Sequence, residues 1–519
     1  MPFFRFAAAG QLALLALSPL LAASPAAGFG FAEVAELARR EAAAPYQAPV
    51  SQLPAALRGL DYDGLREIRF KPEHALWRRE GLPFELQLFH LGGGHAAPVR
   101  IHEVAQGRAR ELPYEPAAWD FGRHRFDRSG WAGLGHAGFR IHHALNTPAY
   151  KDELIVFLGA SYFRALGRGQ QYGLSARALA IDTVGAPPGQ AEEFPRFKAF
   201  WIERPAPGAQ ALTIHALLDS PRAPGAFRFV VRPGETSTVD VQQRVFLRSP
   251  VARLGLAPLT SMFLHGENQR HASDFRPEVH DSDGLQLAAD GEWLWRPLFN
   301  PGAPLASSLR ATQLQGYGLM QRDRRFGAYE DDEAHYERRP SAWVEPLGAW
   351  GPGRVELLML PTPDETHDNV VAYWVPDTMP VPGQPFDLAW RLHWQGTQAT
   401  QPPQAWATQA RRGHGWAPLA PGELQFVIDF DGPALRALPV NTAITAMASA
   451  GAGARIKDAR AWPHPQGGWR MQLRVLRDDP ARPVELRAWL RHGPHALSET
   501  WAALVPGDLP AGAPVETQP

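Results

Sequence analysis

The sequence predicts an all-β protein of two β-sandwich domains, with the larger domain first. Segments with an apolar residue at every second position, the pattern of a half-buried strand, recur along the chain. In STVDVQQRVFL, for example, Val239, Val241 and Val245 share one face. The 50 prolines and 48 glycines are typical of a chain with many short elements. A length of 519 residues exceeds one ordinary core and suits two large β domains.

The N-terminal region contains the one predicted helix and the first strands. Apolar residues at helical spacing in FAEVAELARREAA predict a helix that begins near Phe31. FELQLFHL and AFRFVVRP alternate and are bounded by Pro or Gly, which is typical of antiparallel strands. We assign residues 28–396 to this first domain.

The last hundred residues predict a smaller, immunoglobulin-like β-sandwich. Short segments that begin near Leu424, Trp469 and Val484 alternate cleanly, with one apolar face each. This domain is assigned to residues 421–519. The preceding segment, 397–420, is polar and poor in core-forming residues, so it is predicted to be a linker.

The first 27 residues predict a secretory signal peptide. Arg5 supplies a positive charge, an apolar run follows from Phe6 to Ala23, and small residues come next. A membrane anchor is the alternative, but Gln11 and Pro19 interrupt a run that is barely long enough to span a bilayer. Without a twin-arginine pair, the signal indicates export to the periplasm by the general secretory route, with no stable anchor after cleavage.

Composition excludes several classes of function. The 52 basic and 53 acidic side chains give a net charge of −1, which argues against nucleic acid or a polybasic membrane surface as partner. The chain has no cysteine, so thiol nucleophiles, thiolate metal sites and disulfides are excluded. The 17 tryptophans suit a neutral sugar ligand, because indole rings stack well on sugar faces.

No motif requires a cofactor or a metal. GLGHAG matches the dinucleotide fingerprint by letters, but a strand-like segment follows it where the fingerprint needs a helix. HDSDGL could begin a calcium loop, yet the later glutamate ligand is missing.

Two aspartate clusters are the candidate catalytic groups. Asp281 and Asp283 lie in HDSDGL, and Asp368 lies in PTPDETHDNVVAYWVP. Each cluster alone is most simply an Asp-rich turn. Together they could provide the two carboxyl groups that cleavage of a glycosidic bond requires, one protonated and one ionised. Asp368 precedes an apolar strand with Trp374, where partial burial would raise its pKa, whereas the other two lie in a more polar loop.

Aromatic and arginine side chains between these acids are candidate sugar ligands. Core packing accounts for about half of the tryptophans here, but AHYERRPSAWVEP combines stacking faces with bidentate donors, as sugar hydroxyls require. The predicted substrate-binding residues are Trp295, Tyr336, Arg338, Arg339, Trp343 and Glu345.

Several long segments resemble one known family. They include LDYDGLREIRFKP, YKDELIVFLGASYFRALG, EEFPRFKAFWIERP, DFRPEVHDSDGL, YERRPSAWVEP and ETHDNVVAYWVP, and they cover about residues 30–395 in order. The chain thereby resembles the osmoregulated periplasmic glucan biosynthesis protein G/D family, and its secretory signal is similar to that of the G branch.

The resemblance implies a fold and a chemistry. The fold is a galactose-mutarotase-like β-sandwich (a supersandwich) followed by the immunoglobulin-like domain. The activity is that of an inverting endo-β-1,2-glucanase or a transglycosylase on a β-1,2-linked glucan. The E-T-x-D-N motif makes Asp368 the general acid, and the base side falls on Asp281 or Asp283, with Asp281 preferred. A non-catalytic protein that presents the glucan to a membrane glucan synthase remains the alternative.

Overall fold

The computed structural model describes residues 28–51, 53–184, 191–439 and 441–508. The predicted signal peptide lies outside these ranges. Nearly all regular structure is β, so the predicted fold class is confirmed. The mutarotase-like and immunoglobulin-like likenesses and the domain boundaries stay predictions. No helix in the described ranges has the length and apolar character needed to cross a membrane.

The first of two large sheets has ten strands. In order of pairing, nine of them are Phe84–Phe89, Gly138–Thr147, Tyr150–Leu158, Tyr162–Ala165, Ser175–Arg177, Leu254–Ser261, Val370–Pro376, Gly353–Met359 and Leu305–Ala311. The tenth strand, Leu179–Ile181, pairs with Leu254–Ser261. All of these pairings are antiparallel. This sheet contributes the strand that follows Asp368.

The second large sheet has fifteen strands. In order of pairing, fourteen of them are Thr445–Ala450, Val484–His492, Thr500–Val505, Glu292–Pro297, Gly284–Ala289, Leu314–Met320, Ser341–Pro346, Pro385–Gln395, Ser237–Phe246, Gly225–Arg232, Leu212–Asp219, Arg196–Glu203, Arg100–Ala105 and Arg108–Glu111. The fifteenth, His495–Ala496, pairs with Val484–His492. This sheet contributes the strand that follows Asp283.

The two large sheets pack face to face over one apolar core. The ring of Phe157 in the first sheet lies 5.1 Å from that of Phe229 in the second, and Phe139 lies 4.9 Å from Phe200. Burial of each such side chain stabilises the fold by about 1.5–3 kcal/mol. The alternating pattern of the sequence produces this core, because every second side chain of a strand points to the same face.

A third sheet covers one end of the second. It consists of Trp406–Arg412, Glu423–Asp431, Trp469–Arg477 and Ala454–Pro463 in order of pairing. Its first strand lies within the segment that the sequence predicts to be a linker. The buried residues of that strand are the small Ala407 and Ala410, so its apolar pattern is weak in the sequence.

The C-terminal strands also extend the second sheet. Leu294 and Trp295 pair in parallel with Thr500 and Trp501. The C-terminal region is therefore joined to the larger one by backbone hydrogen bonds as well as by side-chain packing.

Helical segments are few and mostly short. The predicted helix is confirmed at Phe31–Ala43, where the Glu33 carboxylate accepts a hydrogen bond from the N–H of Gly30 at 2.8 Å. Its Val34 and Ala38 pack against the outer face of the second sheet. The other helical segments are Ala55–Arg58, Tyr62–Arg66, Phe326–Tyr329 and Pro433–Arg436, with 3₁₀ turns at Pro72–His74, Pro116–Ala118, Trp131–Gly133 and Tyr336–Arg338.

Two small strand pairs complete the described elements. Arg69–Phe70 pairs with Trp119–Asp120, and Phe263–His265 pairs with Val279–His280. The second pair leads directly into Asp281, so it positions part of the candidate site.

Candidate active site

Asp368 lies at the end of the loop that enters the strand Val370–Pro376. The next residue, Asn369, fixes this position. Its amide nitrogen donates to the carbonyl oxygens of Phe263 and Leu360 at 3.0 and 2.9 Å, and its Oδ1 accepts from the N–H of Phe263 at 2.8 Å. Every hydrogen-bonding group of the amide side chain is thereby used to hold the backbone beside Asp368.

The surroundings of Asp368 favour its protonated form. Burial raises the pKa of this carboxyl, and the negative charge of Asp281 raises it further. The guanidinium of Arg164 opposes both effects from 3.8 Å. The carboxyl is still 31% exposed, so a ligand can reach it. The sequence analysis expected partial burial to raise this pKa, and the structure agrees.

Asp281 is held in a different way. Its backbone N–H donates to the carbonyl oxygen of Met262 at 2.8 Å, and its carboxylate forms an ion pair with Arg339. The Arg339 guanidinium also lies 4.0 Å from the centre of the Tyr336 ring. A Cβ atom at Gly173 would lie 2.9 Å from that of Arg339, so glycine there leaves room for the arginine.

Asp283 points into an internal cluster. Its Oδ2 accepts hydrogen bonds from the backbone N–H groups of Arg322 and Asp323, and its Oδ1 lies 3.3 Å from Nε2 of His280. Burial raises the pKa of Asp283, while the charge of His280 lowers it. The prediction of a more polar, less buried loop is therefore wrong for both aspartates: the side chains of Asp281 and Asp283 are less exposed than that of Asp368.

The cluster around Asp283 could hold a metal ion only by displacing a proton. Ligand atoms of Glu278, His280 and Asp283 lie within 4.8 Å of one another. Gln321 donates through its amide to two carbonyl oxygens, so its Oε1 accepts from Nδ1 of His280 at 3.0 Å. Burial alone would lower the pKa of His280, but the charges of Asp283 and Glu278 raise it to about 9. Nε2 is therefore protonated at neutral pH.

An arginine that the sequence analysis missed ties the loop of Asp368 to its neighbours. Arg276 bonds Asp274 and Asp331, both at 2.8 Å, and Glu365 at 2.6 Å. These carboxylates come from three separate loops. The hydrogen bonds to Asp274 and Glu365 raise the pKa of Arg276, which keeps its charge. Arg276 lies within the family-like segment DFRPEVHDSDGL, which was the one available signal.

The first sheet supplies further groups that the sequence did not single out. Arg164 and Tyr162 lie on the strand Tyr162–Ala165, next to Ser175–Arg177 in the sheet. Arg177 lies 5.4 Å from the centre of the Tyr162 ring. Burial raises the pKa of the Tyr162 phenol, and the charges of Glu192 and Asp368 add to this effect. The first sheet therefore places two arginines and a tyrosine near Asp368.

The structure brings together only some of the predicted ligands. Arg339 and Tyr336 adjoin Asp281, and Arg338 is half exposed in the same turn. Tyr336 itself is 1% exposed, so it packs against the guanidinium of Arg339 and is not accessible to a ligand.

The other three predicted ligands lie elsewhere. Trp295 is buried under the guanidinium of Arg322 at 3.5 Å, and Trp343 stacks on Trp293 in the core under the third sheet. Glu345 bonds His393 at 2.7 Å. Trp343 and Glu345 share one face of their strand, opposite to the face of Ala342 and Val344, which lie in the core between the two large sheets.

The fold is all-β, and its side chains include an arginine-paired aspartate, Asp281, whose charge acts on a second aspartate, Asp368. Its sequence matches the family model "Periplasmic glucan biosynthesis protein, MdoG" over residues 29–505. It is 54% identical to "Glucans biosynthesis protein G" of Ralstonia nicotianae over 499 residues, which are 94% of this chain and 98% of the relative. The chain therefore belongs to the MdoG family of periplasmic glucan biosynthesis proteins.

Two further relatives carry the same description. Identity to "Glucans biosynthesis protein G" of Pseudomonas aeruginosa is 46% over 517 residues, covering 97% of this chain and 98% of the relative. Identity to the protein of that name from Pectobacterium carotovorum subsp. carotovorum is 44% over 499 residues, covering 94% and 95%. These matches confirm the family predicted from the sequence, and membership gives the chain a role in periplasmic glucan biosynthesis.

Proposed function

We propose that the protein cleaves or transfers β-1,2-linked glucan chains in the periplasm, with Asp368 as general acid and Asp281 on the base side. The unequal environment of these two carboxyls carries the proposal. Burial and the charge of Asp281 raise the pKa of Asp368, which favours its protonated form, whereas Asp281 is paired with the guanidinium of Arg339. Acid–base cleavage of a glycosidic bond needs this division of roles.

The reaction then follows in one displacement. Asp368 donates its proton to the glycosidic oxygen as the bond between that oxygen and C1 breaks. A water molecule attacks C1 from the opposite face and gives its proton to Asp281, directly or through another water. A sugar hydroxyl in place of the water gives transfer instead of hydrolysis. Inversion expects roughly 6.5–9.5 Å between the carboxyls, or more with a relaying water.

Asp281 is preferred over Asp283 because of their contacts. Asp283 accepts two backbone hydrogen bonds and faces His280 within the protein. Asp281 is the aspartate of this pair whose charge acts on Asp368. A role for Asp283 in holding the loop of Asp281 follows from this arrangement.

The test is incubation with linear β-1,2-glucan, with product chain lengths measured by chromatography and anomeric form by NMR. We expect the wild type to shorten or redistribute the chains, and Asp368→Asn and Asp281→Asn to lose at least about a hundredfold in rate. Asp364→Asn is the matched control, because Asp364 lies in the same loop, is half exposed and bonds Thr366.

Unchanged chain lengths with the wild type would contradict the proposal. If glucan still bound to the wild type and to both variants, the protein would be a binding protein that presents glucan to a membrane glucan synthase.

A further inference from the structure

An apolar pocket lies where the third sheet meets the two large sheets, and none of the candidate site residues lines it. Its volume is about 450 Å³, within the roughly 300–1,000 Å³ typical of ligand sites. The first sheet contributes Leu305, the second Trp501 and Val505, and the third Phe426. We propose that this pocket and the loop beside it bind an anionic phospholipid of a membrane surface.

The interior of the pocket suits an acyl chain. A proline-rich loop, PLFNPGAPL, forms much of its wall. The amide groups at its edge are already used: Nδ2 of Asn300 donates to the carbonyl oxygen of Thr362 at 2.9 Å, and Oε1 of Gln269 accepts from the N–H of Asn300 at 2.7 Å. A sugar would need free donors and acceptors here, whereas methylene groups need only shelter from water. The lining therefore favours a hydrocarbon ligand.

The mouth of the pocket carries a cation that is available to an anion. Asp508 is the one acid among the described lining residues, and Arg477 occupies both of its oxygens at 3.1 and 2.7 Å. Arg412 also lines the pocket, and no carboxylate in the described ranges forms an ion pair with it. Although Arg412 reaches solvent, burial and the charge of Arg477 lower its pKa. A phosphate would relieve this setting, because a guanidinium can bind two of its oxygens at once.

The strand that carries Arg412 leads into a loop with an exposed tryptophan. The loop begins at a fixed point, since the N–H of Gly413 donates to the carbonyl oxygen of Gln425 at 3.0 Å. The segment 413–422, GHGWAPLAPG, contains no acid, and its Trp416 is 97% exposed. Trp416 follows Arg412 by four residues, which span at most about 14 Å. The indole can therefore enter the interface of the membrane whose lipid reaches Arg412, a depth at which tryptophan is enriched.

These parts predict weak and reversible attachment to a membrane. A chain that moves from the bilayer into the pocket stays in an apolar setting, so its transfer costs little. Arg412 and Trp416 supply the net attraction. The whole protein has a net charge of −1, so no broad electrostatic attraction adds to this site. The protein would thus visit the membrane through one local surface and remain soluble between visits.

Cosedimentation with vesicles tests the proposal. The wild type should bind vesicles of phosphatidylglycerol and phosphatidylcholine in equal parts, and it should bind pure phosphatidylcholine at least about fivefold more weakly. Arg412→Gln should weaken binding to the anionic vesicles about fivefold, and Trp416→Ala about tenfold. Ala303 is exposed at the mouth of the pocket. Ala303→Glu adds bulk and a negative charge there, so it should weaken binding at least as much as Arg412→Gln.

Matched controls make the same chemical changes outside the pocket. Arg460→Gln and Trp462→Ala lie on Ala454–Pro463, the strand at the opposite edge of the third sheet. The side chain of Arg460 is 73% exposed, and Trp462 is 39% exposed. Ala437→Glu adds a negative charge at another exposed position. All three should bind the anionic vesicles as the wild type does, and melting temperatures verify that every variant is folded.

Equal binding to both kinds of vesicle, or binding to neither, overturns the proposal. It is also overturned if Arg412→Gln or Ala303→Glu binds as the wild type does, because the pocket would then take no part. If Ala303→Glu changes the oligomeric state in analytical ultracentrifugation and vesicles are not bound, the pocket faces a second copy of the chain and the proposal is wrong. The proposed function is tested separately, since Asp281 and Asp368 are unchanged in every variant.

Discussion

The guanidinium Nη2 of Arg164 lies 3.8 Å from Oδ2 of Asp368. Arg164 belongs to the strand Tyr162–Ala165, which is far from Asp368 in the sequence. The arginine pulls the pKa of Asp368 down, against the opposite effects of burial and of Asp281. Arg177 and Arg339 also lower it, and the balance of these influences sets the pH at which Asp368 loses its proton.

Arg164→Gln should move the alkaline limb of the pH–rate profile to higher pH. A general acid is active while protonated, and removal of the positive charge raises the pKa of Asp368 further. The measurement is kcat/KM for chain shortening across pH 4–9. Arg310→Gln is the control, since Arg310 is exposed on the edge strand Leu305–Ala311 of the first sheet and pairs with Asp377. An alkaline limb that stays in place or moves down would contradict the assignment of the acid.

Asp281 and Asp283 should respond differently to substitution by asparagine. Asp281→Asn is expected to abolish chain shortening and also to cost about 3–5 kcal/mol in unfolding free energy, because the buried carboxylate of Asp281 pairs with the guanidinium of Arg339. Asp283→Asn leaves the charged His280 with one carboxylate fewer in a buried place, at a cost of about 1–3 kcal/mol in unfolding free energy, and should reduce chain shortening less. Urea unfolding and product analysis on the same samples check both. Loss of chain shortening in Asp283→Asn but not in Asp281→Asn would exchange the roles of the two aspartates.

Sequence patterns were enough for the all-β class, whereas the assignment of Asp281, Asp283 and Asp368 as catalytic groups stays a prediction. Alternation identifies a strand and its two faces, and the acids precede or follow apolar strands. Arg164 was not predicted, because only the pairing of distant strands places it next to Asp368. Nothing local to FLGASYFRALG distinguishes an arginine beside a carboxyl from one in solvent.

The tryptophans show a second feature that the sequence pattern does not predict, namely which layer covers a given strand face. Alternation places Trp343 on one face of its strand, but it cannot tell which layer covers that face. The third sheet covers it, and one strand of that sheet comes from the segment that the sequence predicts to be a linker. The buried side chains of that strand are alanines, so the hydrophobic signal was too weak to reveal either the strand or the burial of Trp343.

A buried glutamate should make stability depend on pH. Glu267 accepts a hydrogen bond from the N–H of Ala410, and burial, with the charge of Glu278, raises its pKa to about 8. An unfolded glutamate titrates near 4.5. Between these pH values the folded state holds more protons than the unfolded state, so stability falls as pH rises. The loss is on the order of 3–5 kcal/mol.

Glu267→Gln keeps an acceptor for Ala410 and removes this titration. We expect its unfolding free energy, measured in urea at pH 5 and pH 8, to fall clearly less than that of the wild type. The pKa of His280 is also raised, to about 9, so its titration likewise lowers stability as pH rises. His280 is present in both proteins, so some decline of the unfolding free energy above pH 6.5 is expected in each. An equal loss of unfolding free energy between pH 5 and pH 8 in the two proteins would show that Glu267 does not titrate in this range.

Arg276→Met should lower kcat more than it changes KM. The substitution leaves the carboxylates of Asp274, Asp331 and Glu365 without their shared cation, so the loop that holds Asp368 loses its anchor. A misplacement of about 1 Å can reduce a rate a hundredfold. Steady-state kinetics on glucan check this, with Arg325→Met as control, because Arg325 is exposed and bonds the single carboxylate of Asp323. A rise in KM with kcat unchanged would instead make Arg276 a substrate ligand.

Glu499 connects the C-terminal strands to the candidate site and provides the last test. It bonds the guanidinium of Arg322 through both oxygens at 2.6 and 2.9 Å, and it accepts from the N–H of Ala407. The backbone N–H of Arg322 in turn bonds Asp283. Both charged side chains are almost fully buried, so loss of one charge leaves the other unpaired, at a cost of about 3–5 kcal/mol.

Glu499→Gln should therefore lower the melting temperature strongly, while Glu292→Gln should lower it little. Glu292 also pairs with an arginine across the same junction, Arg487, but the two side chains are 71% and 47% exposed, so water replaces the lost contact. Thermal unfolding followed by circular dichroism measures both. If the two variants melted alike, the buried pair would not hold the C-terminal region to the sheet that leads to Asp283, and the site would depend on the backbone pairing of Trp295 with Trp501 instead.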